Sequence, residues 1–130
     1  MMTKRILPRP TDAELAILNV LFRRGASTVR EVYDEFSLTK PTGYTTVLKM
    51  MQIMADKGLV KRDERSRAHL YEASLTQAET QQQLIGDLLH RAFEGSASNL
   101  VMRALAAKKA SRKELAEIKT MLKEMEGDER

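Results

Sequence analysis

The spacing of apolar positions changes twice along the chain, and the changes divide it. From Thr11 to Lys57 apolar residues recur at helical intervals, from Leu59 to Glu72 they alternate, and from Thr76 onward the helical period returns. The first helix opens with Thr11 as N-cap and Glu14 three residues on, a reciprocal capping box, and Gly25 ends it. Its expected apolar face is Leu15, Leu18, Leu21 and Phe22. A second helix starts at Ser27 or Thr28, with Glu31 completing another box, and is expected to bury Val29, Val32, Tyr33 and Phe36. Pro41 lacks an N–H and biases Lys40 away from helical geometry, so a third helix begins just after it, with Thr42 as expected N-cap and Gly58 as left-handed C-cap. Stepping about 100° per residue places Val47, Met50, Met51 and Met54 on one face. Thr42, Thr45, Thr46, Lys49 and Gln52 fall on the other.

Leu59 to Arg62 and Ala68 to Glu72 read as two strands joined by a turn from Asp63 to Arg67. Three short helices and a hairpin make a winged helix-turn-helix with the third helix in the recognition position. The remainder is helical. Thr76 with Glu79 caps a fourth helix reaching about Glu94, with Leu84, Ile85, Leu88, Leu89 and Ala92 expected inward, and Gly95 stops it. Ser96 or Ser98 caps a fifth helix carrying Leu100, Val101, Ala104 and Leu105. Ser111 with Glu114 caps a sixth, whose Leu115, Ile118, Leu122 and Met125 step by 3, 4 and 3. Residues 1–10 read as a basic arm (Lys4, Arg5, Arg9), and the tail from Glu126 as frayed. The fold class is therefore mostly α: a winged helix over 1–74 followed by an all-helical region over 75–130. The second region has too few aromatics for a substantial core of its own. A second copy would bury its stripes, which assigns Leu84, Leu88, Leu100, Leu105, Leu115, Ile118, Leu122 and Met125 to a homodimer seam.

Composition narrows the picture. The 130 residues contain no cysteine, which removes disulfides and thiolate metal sites and fits a cytoplasmic location. No apolar run is long enough to span a bilayer, and the N-terminus lacks a secretory h-region. Residues 1–74 hold 13 Lys and Arg against 9 Asp and Glu, whereas residues 75–130 hold 9 of each, so the net charge of +4 lies entirely in the winged-helix part. A nucleic-acid partner fits that asymmetry.

The outer face of the third helix carries the candidate chemistry. Its first half is threonine-rich with one lysine, odd for a solvated face but suited to a DNA major groove, where hydroxyls meet phosphates and base edges. Lys40, Thr42, Gly43, Tyr44, Thr45, Thr46 and Lys49 are the expected contacts there. Arg65 and Arg67 at the wing tip and Arg9 in the arm are expected on the backbone. Each has a bland reading too: a capping region for the threonines, packing for the methionines and part of Tyr44, a solvated turn for the arginines. The alternation of acids and bases in the sixth helix is an ordinary solvated face. His69 and His90 have no acid or cysteine at ligand spacing, so neither a metal nor a cofactor is expected. No glycine-rich phosphate loop, nucleophile elbow or metal cluster suggests an enzyme. A winged-helix adaptor that docks on protein, without DNA activity, is the alternative to a repressor.

Nearly the whole chain resembles the penicillinase-repressor (BlaI/MecI) family of bacterial winged-helix repressors. The resemblance rests on TDAELAIL at the start, GYTTVLKMMQIMADKGLV in the third helix and turn, RDERSRAHLYEA in the wing and FEGSASNLV at the helix junction. It implies a homodimer whose N-terminal domains grip a dyad-symmetric double-stranded operator. It also implies release by an upstream signal, through a protease linked to a membrane sensor. The position similar to the family's scissile bond falls at Arg103-Ala104, where this chain departs from the family's Asn-Phe. A copper-responsive branch carries C-terminal cysteine pairs, which are absent here.

Overall fold

The computed structural model describes residues 7–128. Its elements run α1 (Asp12–Arg24), α2 (Val29–Thr39), α3 (Tyr44–Lys57), β1 (Val60–Asp63), β2 (Leu70–Ala73), α4 (Gln77–Phe93), α5 (Ala97–Ala107) and α6 (Arg112–Asp128). The mostly helical winged-helix class is therefore the observed one. The chain forms two compact units, one running through Ile85 and the other from Gly86 onward.

In the first unit, α1, α2 and α3 meet around a core closed by the hairpin. Ile17, Leu18, Val20 and Leu21 from α1 pack with Val29, Val32 and Phe36 from α2 and with Val47, Met51 and Met54 from α3. Leu59, Val60 and Tyr71 close it from the wing side. The expected methionine face is inward, with Met51 and Met54 fully buried and Met50 half-buried. The α1 face differs from expectation: Ile17 and Val20 join Leu18 and Leu21 inside, while Leu15 and Phe22 are half-buried. Glu14 conceals this in the sequence, because an acid occupies the inward stripe one turn before Ile17 and Leu18. Its carboxylate is satisfied twice. Oε1 accepts from the Thr11 backbone N–H at 2.9 Å, and Oε2 accepts from Lys57 Nζ at 2.8 Å. Burial alone would raise the Glu14 carboxyl pKa, but the bonds from Lys57 and Thr11 outweigh it and hold the group below its ordinary value. One carboxylate thus ties the first turn of α1 to the last turn of α3.

The capping boxes at Thr11, Thr28, Thr76 and Ser111 all form. The α3 start does not follow expectation. Gly43, not Thr42, is the N-cap, and the Thr42 hydroxyl instead donates back to the Lys40 carbonyl at 2.9 Å. That turn around Pro41 occupies the hydroxyl that would have capped the helix. The other end is as expected: Gly58 lies in the left-handed region (φ 85°, ψ 7°), and the Leu59 N–H donates to the Met54 carbonyl at 2.9 Å, a Schellman closure. Because Leu59 is used in that closure, β1 starts at Val60.

The two strands pair antiparallel with Val60 opposite Ala73 and Arg62 opposite Tyr71. The turn is longer than the expected Asp63 to Arg67, since the Ala68 carbonyl accepts from the Ser66 hydroxyl at 2.8 Å and β2 begins only at Leu70. A further bridge joins the wing to the α1–α2 turn. The Ser27 N–H donates to the Tyr71 carbonyl at 2.9 Å, and the Tyr71 N–H returns to Ser27 at 2.8 Å. Residues 7–10 are not a free arm: Leu7 packs against the core, Pro10 is buried, and Gln83 of α4 donates to the Leu7 carbonyl at 2.7 Å. The first turns of α4 share this packing through the buried Thr80. Lys4 and Arg5 lie outside the described residues.

From Gly86 onward the helices bury no side chain completely among the described residues. Leu84 and Leu89 of α4 are half-buried, whereas Ile85, Leu88 and Ala92, expected inward, are exposed. Ser96 caps α5, its hydroxyl accepting from the Asn99 N–H at 3.2 Å. Val101, Ala104 and Leu105 are exposed with Leu100 half-buried, and on α6 Leu115, Leu122 and Met125 are exposed with Ile118 half-buried. Glu126 is not frayed, because α6 continues to Asp128. Among the described residues no helix is long and apolar enough to cross a membrane.

Candidate nucleic-acid interface

The recognition helix presents its candidate residues to solvent. Gly43, Tyr44, Thr45, Thr46 and Lys49 are exposed, as is Lys40 in the extended segment before it, while Thr42 is half-buried. Val47, the residue after Thr46, is fully buried, so one turn of helix carries both core and candidate contact surface. The start of α3 differs chemically from the starts of its neighbours. The first turns of α1 and α2 carry capping boxes and acids, whereas that of α3 has neither a side-chain cap nor an acid. Its leading N–H groups and the positive end of its dipole therefore face outward uncompensated, which favours an anion.

The wing-tip arginines are in different states. Arg65 folds back on Asp63, with Nη2 to Oδ2 at 2.7 Å and Nε to Oδ1 at 3.0 Å, and its backbone N–H also reaches Oδ1 at 3.0 Å. These bonds hold the Asp63 carboxyl at a pKa of about 2, well below its ordinary value. Arg62 bonds Glu64 at 3.1 Å, and the Tyr71 hydroxyl and Glu64 raise its pKa further. Arg67 is exposed at the tip. Arg9 is exposed beside the buried Pro10, at the end of a segment packed on the core rather than in an open arm.

Two residues absent from the sequence-based set join the site from α2. The Arg30 guanidinium lies 5.6 Å from the centroid of the Tyr33 ring and 5.9 Å from that of Tyr44. The two rings meet edge to face, with centroids 5.6 Å apart and planes at 73°. Arg30 and Tyr33 are three apart on one helix face, the spacing at which side chains touch, but their meeting with Tyr44 is visible only once α2 packs on α3. His69 and His90 are exposed, and among the described residues no group of three or more His, Cys, Asp or Glu is placed to hold a metal.

A family model for the penicillinase repressor matches residues 10–124. The chain is 23% identical over 118 residues to the penicillinase repressor of Bacillus licheniformis, covering 91% of this chain and 92% of that one. It is 38% identical over 66 residues to the transcriptional regulator BlaI of Mycobacterium tuberculosis, about half of each chain. In structure it is similar to the DNA-binding domain of the repressor BlaI (TM-score 0.51, 23% identity, 58% of this chain and 92% of that one). It is similar to the same degree to Bacillus licheniformis BlaI, solved as a monomer with the blaP half-operator (TM-score 0.51, 57% of this chain and 90% of that one). With the winged-helix fold and a match over most of its length, this chain belongs to the penicillinase-repressor family.

Proposed function

We propose that this protein is a homodimeric, sequence-specific DNA-binding transcriptional repressor that grips a dyad-symmetric operator. The observation that carries the proposal is the start of α3: exposed, free of acid, without a side-chain cap, and lined by Thr45, Thr46 and Lys49. Such a surface suits phosphate oxygens at the helix start and base edges along the threonine face. Residues 1–74 are the DNA-binding part, with Lys40, Thr42, Gly43, Tyr44, Thr45, Thr46, Lys49, Arg65, Arg67 and Arg9 in contact. Residues 75–130 dimerise, and the exposed Leu88, Leu105, Leu115, Leu122 and Met125 support that assignment. Similarity to a protein solved with a half-operator supports the DNA reading. Membership of a repressor family supports a regulator rather than an enzyme.

Release by an upstream signal completes the proposal. Arg103 and Ala104 are exposed on α5, inside the dimerising region, so a protease that unwinds one or two turns there would cut that region in two and weaken the seam between protomers.

A mobility shift with duplex DNA from upstream of this chain's own gene tests the central claim. Thr46→Ala should weaken binding to that duplex by about 1–3 kcal/mol and change binding to random duplex much less. A parent protein that binds both duplexes equally weakly would return the fold to the adaptor reading.

A further inference from the structure

We propose that Arg30 is a DNA phosphate contact delivered by α2, held in place for that task by the Tyr33 and Tyr44 rings. The inference rests on the DNA-binding reading and adds a residue that the third helix and wing alone do not supply.

The geometry comes first. Arg30 sits in the first turn of α2, and Tyr44 is the first residue of the recognition helix. The guanidinium is within 6 Å of both ring centroids, at 5.6 and 5.9 Å, the range in which a cation is attracted to an aromatic face. Yet the side chain is 70% exposed. A cation buried for packing would be covered, and one merely solvated would not be aligned on two rings from two helices. Arg30 is both aligned and open to solvent. Its ion pair with Asp34 uses Nε at 3.5 Å between two exposed groups, an i,i+4 contact too weak to fix a long side chain by itself. The rings supply the missing restraint.

Held in this way, the guanidinium lies at the rim of the acid-free α3 start. In helix-turn-helix proteins the helix before the recognition helix crosses the backbone beside the groove, and the planar fork of arginine matches a phosphate. Tyr33 is a positioning residue: it touches no DNA, but it limits where Arg30 can point before binding. Restricting a flexible side chain in advance lowers the ordering cost of the contact.

The test is the salt dependence of binding, measured by fluorescence anisotropy. The probes are the upstream duplex and a random-sequence duplex of equal length. Each lost phosphate contact lowers the slope of log affinity against log salt by roughly 0.9, so Arg30→Ala should lower it by about 0.9 for each protomer bound, on both duplexes alike. Arg30→Lys should restore the slope, since it restores the charge, but not the full affinity. Tyr33→Leu should leave the slope unchanged and weaken binding roughly two- to fivefold, the size of an exposed cation–π contact, while Tyr33→Phe should match the parent. Thermal melting of each variant separates these effects from misfolding. An unchanged slope in Arg30→Ala, with the parent binding normally, overturns the inference and leaves the proposed function intact. A parent that binds neither duplex removes both.

Discussion

Met51 and Met54 in the first unit have no exposed surface, whereas Met121, Leu122 and Met125 in the second are each more than half exposed. Both sets sit on amphipathic helices with intervals of three and four, so helix patterning does not separate them. What differs is the presence of partners. The inner face of α3 meets α1, α2 and β1 within its own chain, and the stripe of α6 is left open. The first unit can therefore hold itself together, while the second leaves much of its apolar surface exposed among the described residues. An apolar stripe in a sequence reports that a helix will be covered, not what covers it.

The largest expected effect breaks the second unit's side of this contrast. Ile118→Asp with Leu122→Asp puts charge into the proposed dimer seam and should abolish self-association, because a buried unpaired charge is strongly disfavoured. Light scattering at micromolar concentration should give a dimer mass for the parent and a monomer mass for the variant. A monomeric parent would end the homodimer proposal.

Truncation sharpens the contrast between units. Met51→Ala opens a cavity in a full core and should cost about 2–5 kcal/mol in urea unfolding. Met125→Ala removes a side chain already 58% exposed, so its effect on a monomer should stay within about 0.5 kcal/mol. Comparable losses from both would show that the second unit has an internal core after all.

Next in size is the Glu14 tie. Glu14→Gln should cost about 1–3 kcal/mol, because Lys57 loses its charged partner. The carboxyl pKa is lower in the folded chain than in the unfolded one. Its contribution is therefore complete above the unfolded value and disappears as pH falls through the folded value. Acid titration of stability should be shallower in Glu14→Gln than in the parent.

The smallest effects concern the wing. Arg65→Ala with Arg67→Ala should lower the salt slope of a two-wing complex by roughly 2 to 4 units, according to whether two or all four of its arginines reach phosphate. Because Arg65 is already paired with Asp63, values near the lower end are expected. Asp63→Asn should release Arg65 and raise DNA affinity. An affinity unchanged by Asp63→Asn, measured with the salt slope, would mark Arg65 as a turn-stabilising residue instead. The Asp63–Arg65 pair contributes to wing order from above the ordinary carboxyl range and is lost as pH falls toward about 2.

Much of this architecture was legible in the residues. The capping boxes, the Gly58 stop and the inward methionines depend on chemistry within a few positions of one another, which is where sequence patterns are informative. The discrepancies arise from contacts between distant positions. Glu14 occupies an inward position because Lys57, 43 residues away, receives it. Thr42 is the local exception, giving up the cap because its hydroxyl turns back two residues to Lys40. Leu7 and Pro10 look like an arm until Gln83 secures them. Arg30 looks like ordinary α2 surface, and Tyr33, expected inside, is only half-buried because its ring meets Tyr44 of α3.

The Ser27–Tyr71 bridge has a consequence for time as well as for shape. Two backbone hydrogen bonds fasten the second strand of the wing to the turn between α1 and α2, so the hairpin is braced along that strand although its tip is exposed. Slow amide exchange at Ser27 and Tyr71, beside fast exchange from Glu64 to His69, would be the signature of such a lever. Its pivot opens only when the whole unit does, while its end samples solvent freely.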